Sequence, residues 1–259
     1  MQLMIDSGEL VVTLKAGPDG QPFVQRFRLA DQVAPEVWVA VEPVQNGRFR
    51  YLYSLSNRLG ARDSILLFAV DIKRPEQLNN VSQPPTFRQG SVGDWGTTIS
   101  KLNWWARDEG LLAPGFGAGP FVSDSTLLPG LVTTYIRSDV MPDAARFDLE
   151  LLADGHRQAF LKALGLENNS ARRVTLGPKI ATAPEVPAAE IMKAVSSELR
   201  LAAGLPEFQD LQQVLLDLAG RVDAGERSSQ LFTGLGKTLL QQAFFQAMQW
   251  AVEHATRLP

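Results

Sequence analysis

The chain contains no cysteine, which excludes disulfides, thiol nucleophiles and cysteine-ligated metals. Histidine is nearly as scarce. The 259 residues hold only His156 and His254, so a histidine-rich metal site or a Ser-His-Asp triad has few ways to be assembled. A positive excess is missing too: residues 1–138 carry 13 Lys+Arg against 13 Asp+Glu, residues 139–259 carry 12 against 15, and the net charge is -3. Neither half has the basic excess that phosphate-dominated nucleic-acid binding needs, and no like-charge block marks a polybasic membrane contact. Apolar runs stay short of the roughly 18 residues that span a bilayer, so no transmembrane segment is expected. Residues 1–6 show neither a basic region nor a long apolar run. That leaves a cytoplasmic protein or one whose signal has been removed.

What is present reads as an α+β chain in two parts. Leu10, Val12 and Leu14 alternate, Gly17-Pro18-Asp19-Gly20 supplies turn chemistry, and Phe23, Phe27 and Leu29 resume on a return strand. Residues 37–41 form a β-prone run. In residues 48–57, Phe49, Tyr51, Tyr53 and Leu55 point one way and Arg48, Arg50, Ser54 and Ser56 the other, a strand with one wet face. Residues 64–72 are apolar on both faces, as in a covered central strand. Further strands are expected at 97–105, 121–122 and 131–137. The spacing predicts an antiparallel β-sandwich of about seven or eight strands over residues 1–138, immunoglobulin-like or jelly-roll-like.

The period then changes. Residues 139–187 read as a connecting helix, a short extended piece at 173–178 and a Pro/Ala linker. Helices are predicted at 188–203, 206–223 and 228–256, a small helical hairpin or bundle over 188–259. Leu211, Val214, Leu215, Leu218 and Val222 form the apolar stripe of the second, and Gly204-Leu205-Pro206 and Gly225 punctuate the ends.

Motifs that carry chemistry are incomplete. Gly234-Leu235-Gly236-Lys237-Thr238 matches the end of a phosphate-binding loop, but Leu231 stands where the pattern needs glycine and no strand precedes it; a helix interior is the expectation. His156 with Ser123 or Ser125 lacks a strand-turn-helix elbow. Asp108 with Glu109, or Glu42 with Asp63, are candidate acid–base pairs of glycosidase type. Asp139, Asp143 and Asp148 lack the loop spacing of an EF-hand. No cofactor is implied. Aromatic residues are better placed: Trp95, Trp104 and Trp105 offer a stacking platform for a sugar or protein partner, with core packing as the alternative. Phe244, Phe245, Met248 and Trp250 cover more than one face of the last helix, an assembly surface for a homo-oligomer.

Tyr51-Leu52-Tyr53-Ser54-Leu55-Ser56-Asn57 is followed by Ile65-Leu66-Leu67-Phe68-Ala69-Val70, then by Trp95, Leu102-Asn103-Trp104, Leu112-Ala113-Pro114-Gly115, Phe121, Ser125 and Leu128-Pro129-Gly130. Asn169-Ser170 and Leu176-Gly177-Pro178 come later. Over residues 48–180 this pattern resembles the β-sandwich domains of uncharacterised bacterial exported proteins with a helical tail. The resemblance implies an extracellular or cell-envelope location and carries no catalytic residue. The resulting expectation is a non-enzymatic binding or structural module acting through protein or glycan contacts. A self-assembling surface subunit and a carbohydrate-active enzyme with an acidic pair are the alternatives.

Overall fold

The computed structural model describes residues 2–6, 9–14, 23–28, 32–90, 93–94, 100–107, 110–139, 154–163, 171–182 and 186–258. They form an α+β structure, strand-rich toward the N-terminus and helical toward the C-terminus, with three antiparallel sheets.

The predicted first hairpin belongs to a small sheet of its own. Strands β1 (Gln2–Asp6), β2 (Glu9–Leu14) and β3 (Phe23–Arg28) lie in that order, with Leu14 opposite Phe23. Leu10 and Val12 are buried, and the Phe27 ring meets Phe160 of helix α1 (Asp154–Ala163) edge-on at 5.0 Å.

The two larger sheets face each other. One has the order β4 (Pro35–Val44), β5 (Arg48–Asn57), β11 (Gly117–Ser125), β7 (Leu78–Ser82). The other runs β13 (Ala171–Ile180), β12 (Leu128–Ser138), β6 (Ile65–Ile72), β10 (Ser100–Ala106), β8 (Phe87–Gln89), with β9 (Gly93–Asp94) beside β10. Period-two alternation aims Tyr51, Tyr53 and Leu55 of β5 inward to meet Phe68 and Val70 of β6 and Leu102 and Trp104 of β10. Tyr53 lies edge-on to Phe68 at 5.9 Å, and Trp104 stacks on Phe68 at 5.4 Å. Each such fully buried aromatic contributes about 1.5–3 kcal/mol by leaving water. Burial pushes the hydroxyl pKa of both tyrosines well up, and Tyr51 donates to the Leu127 carbonyl at 2.8 Å.

This is more than a simple sandwich of seven or eight strands. The segment expected to be a connector supplies β13, whose Ala171 to Ile180 pair with β12 along most of its length. The short strand expected at 173–178 is there but runs longer, passing through Gly177 and Pro178, which look like a terminator. Here Gly177 leaves room for Val132, whose Cγ2 would lie 2.7 Å from a Cβ at that position.

Helix α2 (Ala188–Ala203) has the predicted bounds. The second predicted helix begins as a 3-10 turn, Pro206–Leu211, and continues as α3 (Gln212–Asp223), with Gly225 beyond it at φ 93°. The third is shorter than expected: α4 spans Leu239–Arg257, and residues 234–238 are a turn, not helix interior. Gly234 and Gly236 take positive φ there. Thr238 caps the helix, accepting from the Gln241 N–H at 3.2 Å while the Gln241 side chain accepts from the Thr238 N–H, a capping box. Lys237 pairs with Asp210 at 3.1 Å. Lys237 and Thr238 therefore spend their donors on this cap and ion pair.

The helices share their apolar core with the sheets. Leu128, Leu131, Leu176 and Ile180 of β12 and β13 join Val195, Leu199, Phe208, Leu215, Phe244, Phe245 and Met248 in one cluster. A buried charge pair pins the junction. The Glu198 carboxylate, 7% exposed, accepts from Lys179 at 2.6 Å and from the Leu131 N–H at 2.7 Å, while Lys179 also donates to the Leu131 carbonyl at 2.7 Å. Among the described residues no helix is long and apolar enough to cross a membrane.

Candidate functional site

Strand β4 presents an exposed tryptophan. Alternation turns Val37, Val39 and Val41 toward the core and leaves Trp38, Ala40 and Glu42 outward. Trp38 remains 43% exposed, which is unusual for so large an apolar ring. Ser54 of β5 lies opposite it. Beyond β5 the register of β11 slips between Ala118 and Phe121. Gly119 approaches so closely there that a Cβ would sit 3.0 Å from Ser54 Oγ and 3.1 Å from the Tyr53 carbonyl oxygen. Small residues thus floor the space beside the indole.

Two hollows flank Trp38. One, of about 540 Å³, is bounded by Ser54, Ser56, Thr86, Pro84, Gly117 and Pro120. The other, of about 460 Å³, lies against the start of α4, with Leu239, Leu240 and Ala243 on its far wall. Phe116 and Leu59 are exposed at the same end of the sheet. Their loops are clamped by buried Asn57, which donates side-chain bonds to the Asp63 and Leu112 carbonyls and accepts from the Ala34 N–H. The backbone of Asn57 also bonds Gly115 and Phe116. The apolar tip is therefore held by a fully bonded polar residue.

Farther along the same face Arg50 grips Asp124 with two bonds, 2.8 and 2.9 Å, and Asn80 adds a third at 2.8 Å. These bonds hold the Asp124 carboxyl below the usual carboxylate range, led by the bond from Arg50. A depressed folded-state pKa gives stability that is full above the unfolded pKa and lost as pH falls through the folded value. Asp124→Asn is expected to cost about 1 kcal/mol at pH 7, the half-exposed Arg50 screening the pair. Urea midpoints should show this gap at neutral pH and a narrowing one as the pH falls below the ordinary carboxylate pKa.

A second polar cluster decorates the outer face of the six-stranded sheet. Tyr135 donates to Asp71 at 3.2 Å, and the Lys101 ammonium sits 3.7 Å above the Tyr135 ring centroid. Burial raises the Asp71 pKa against the pull of Tyr135 and Lys101, and lowers that of Lys101 against the pull of Asp71.

The residues singled out in the sequence lie elsewhere. Trp104 is fully buried between the sheets, 5.2 Å from Phe121, and offers no surface to a ligand. Trp105 points to the opposite side of β10, half-buried, its indole N–H donating to Asn103 at 3.0 Å. Trp95 lies outside the described residues. Phe244, Phe245 and Met248 are buried within the molecule, and Trp250 packs on Phe49 at 5.4 Å. The last helix is apolar on several faces because it meets other helices and the sheets at once.

His156 is exposed on α1, whereas Ser123 and Ser125 are buried in β11. Glu42 stands opposite Arg50, while Asp63 is tied to Asn57 seven positions along β5. At the strand rise this separates the two by about 23 Å, far beyond the roughly 5–9.5 Å of a glycosidase pair. Asp139 is exposed after β12; Asp108, Glu109, Asp143 and Asp148 lie outside the described residues.

Trp38 itself escaped the sequence reading. It sits within Val37–Val41, where alanine and valine neighbours conceal which residues face outward. The one available signal was the alternation of Trp38 and Glu42 against three valines. No family model matches the chain, and no curated protein or solved structure is similar to it.

Proposed function

We propose that this chain is a non-enzymatic binding module whose contact surface is the outer face of the four-stranded sheet around Trp38, and that it takes a glycan there. The exposed Trp38 indole between two hollows carries this reading. A sugar ring presents C–H groups on its face and hydroxyls at its rim. It therefore suits an aromatic plane edged by small polar groups. Ser54, Ser56 and Thr86 supply hydroxyls beside the ring, and Gly117 and Gly119 leave space for a pyranose. A protein partner would instead favour a broader dry centre rimmed by charge.

The fold reading fits this use. The chain crosses between the two large sheets at β5→β6, β6→β7, β7→β8, β10→β11 and β11→β12, which favours the jelly-roll-like form of the sandwich expectation over the immunoglobulin-like one. An extracellular or cell-envelope location is part of the proposal and rests on the resemblance alone. Neither the separated Glu42 and Asp63 nor the inward aromatics of α4 favour the enzyme and self-assembly readings.

The test is a glycan array followed by titration of the best ligand. Trp38→Ala is expected to weaken that ligand at least tenfold while the fold is retained, at a cost of about 1–2 kcal/mol for the buried part of the ring. No array binding, or binding that survives Trp38→Ala, would remove the proposal.

A further inference from the structure

We propose that a second site, the cleft between α2 and the ends of β6 and β13, binds a small phosphomonoester. The cleft has a volume of about 540 Å³ and draws Lys73 and Arg74 from the chain just past β6, Lys179 from β13, and Glu190, Lys193 and Glu198 from α2. Its floor is built. Buried Glu198 is already neutralised by Lys179 at 2.6 Å and bonded to the Leu131 N–H. Setting that pair aside leaves Lys73, Arg74 and Lys193 against Glu190: three positive charges and one negative, a surplus of two. Among the described residues none of these three cations makes an ion pair. The surplus is local, because the whole chain carries a net charge of -3.

A phosphomonoester carries about −1.5 to −2 charges at neutral pH and matches that surplus, whereas a carboxylate or phosphodiester leaves one cation uncompensated. A planar guanidinium and two mobile ammonium groups suit its three terminal oxygens. The first turn of α2 adds the same sign of potential: Glu190 and Ile191 line the cleft, and Pro187 at the N-cap contributes no side-chain bond. The volume exceeds what a phosphate group fills. Ile180, Val186 and Ala194 give the remainder an apolar wall for a small organic body.

Calorimetric titration of the full chain tests this with glycerol 3-phosphate, glucose 6-phosphate and AMP, using glucose as the neutral control. At least one phosphomonoester is expected to saturate one site, weakening as salt rises, while glucose does not compete for it. Lys193→Glu and Arg74→Glu alter exposed side chains and are expected to weaken that ligand at least tenfold with an unchanged thermal midpoint. Trp38→Ala leaves it unchanged, which separates this site from the sheet face. Failure of all three phosphomonoesters to bind overturns the assignment. So does binding that withstands both charge reversals, is matched by glucose, or is lost with Trp38.

Discussion

Replacing Glu198 by alanine is expected to cost about 3–5 kcal/mol, the range found when one partner of a buried ion pair is removed. Two groups lose their partner together. The Lys179 ammonium, 15% exposed, is left beside carbonyl oxygen alone, and the Leu131 N–H has its acceptor taken away inside β12. The pair is packed tightly against β12: a Cβ at Gly130 would meet Lys179 Cδ at 2.9 Å and Glu198 Oε2 at 3.1 Å. Such a loss is a large share of the 5–15 kcal/mol that holds a typical domain together. The second half of the expectation is more discriminating. Glu198→Leu combined with Lys179→Met should recover most of the loss, since exchanging a buried pair for apolar residues of like volume is often neutral. Urea unfolding of the single and double variants measures both. A cost below about 1 kcal/mol for Glu198→Ala would mean that the pair does not pin α2 to the sheets.

Trp104→Ala should be as damaging, at about 3–5 kcal/mol. The indole is in contact with Tyr53, Phe68 and Phe121, at centroid distances of 6.3, 5.4 and 5.2 Å, and so bridges both large sheets. Removing it opens a cavity that two paired sheets cannot close without breaking strand register. Trp104→Phe should cost much less, because among the described residues the Trp104 indole N–H has no hydrogen-bond partner to lose. Chemical denaturation with near-ultraviolet circular dichroism reads both. Trp105→Ala, on the wetter side of the same strand, should stay near 1 kcal/mol; equal damage at 104 and 105 would contradict the inward and outward assignment.

Much of this architecture was legible because side-chain period and strand geometry agree. Phe49 to Leu55 alternate with arginine and serine, and β5 follows that pattern through ten residues. Residues 188–203 carry a helical stripe ended by glycine, and α2 has those bounds. Legibility failed where a residue does two jobs. Gly177-Pro178 looks like a stop, yet it lies inside β13, because β13 is an edge strand where a missing N–H is tolerated. Thr238 looks like helix interior, but its hydroxyl and the Gln241 amide make a better helix start. Phe244 and Phe245 suggested an exposed surface. Only tertiary packing shows that both large sheets and α2 converge on α4. Trp38 is the instructive case for function. Its exposure depends on which side of β4 meets the core; the three alternating valines hint at that side, and the pairing with β5 fixes it.

The most direct measurement is the set of indole N–H signals in a ¹H–¹⁵N correlation spectrum during titration with the glycan selected on the array. The chain has five tryptophans. Binding at the sheet face predicts that the Trp38 signal, identified by its loss in Trp38→Phe, shifts and saturates while that of buried Trp104 stays fixed. A Trp38 signal that does not move while the glycan binds would contradict the account.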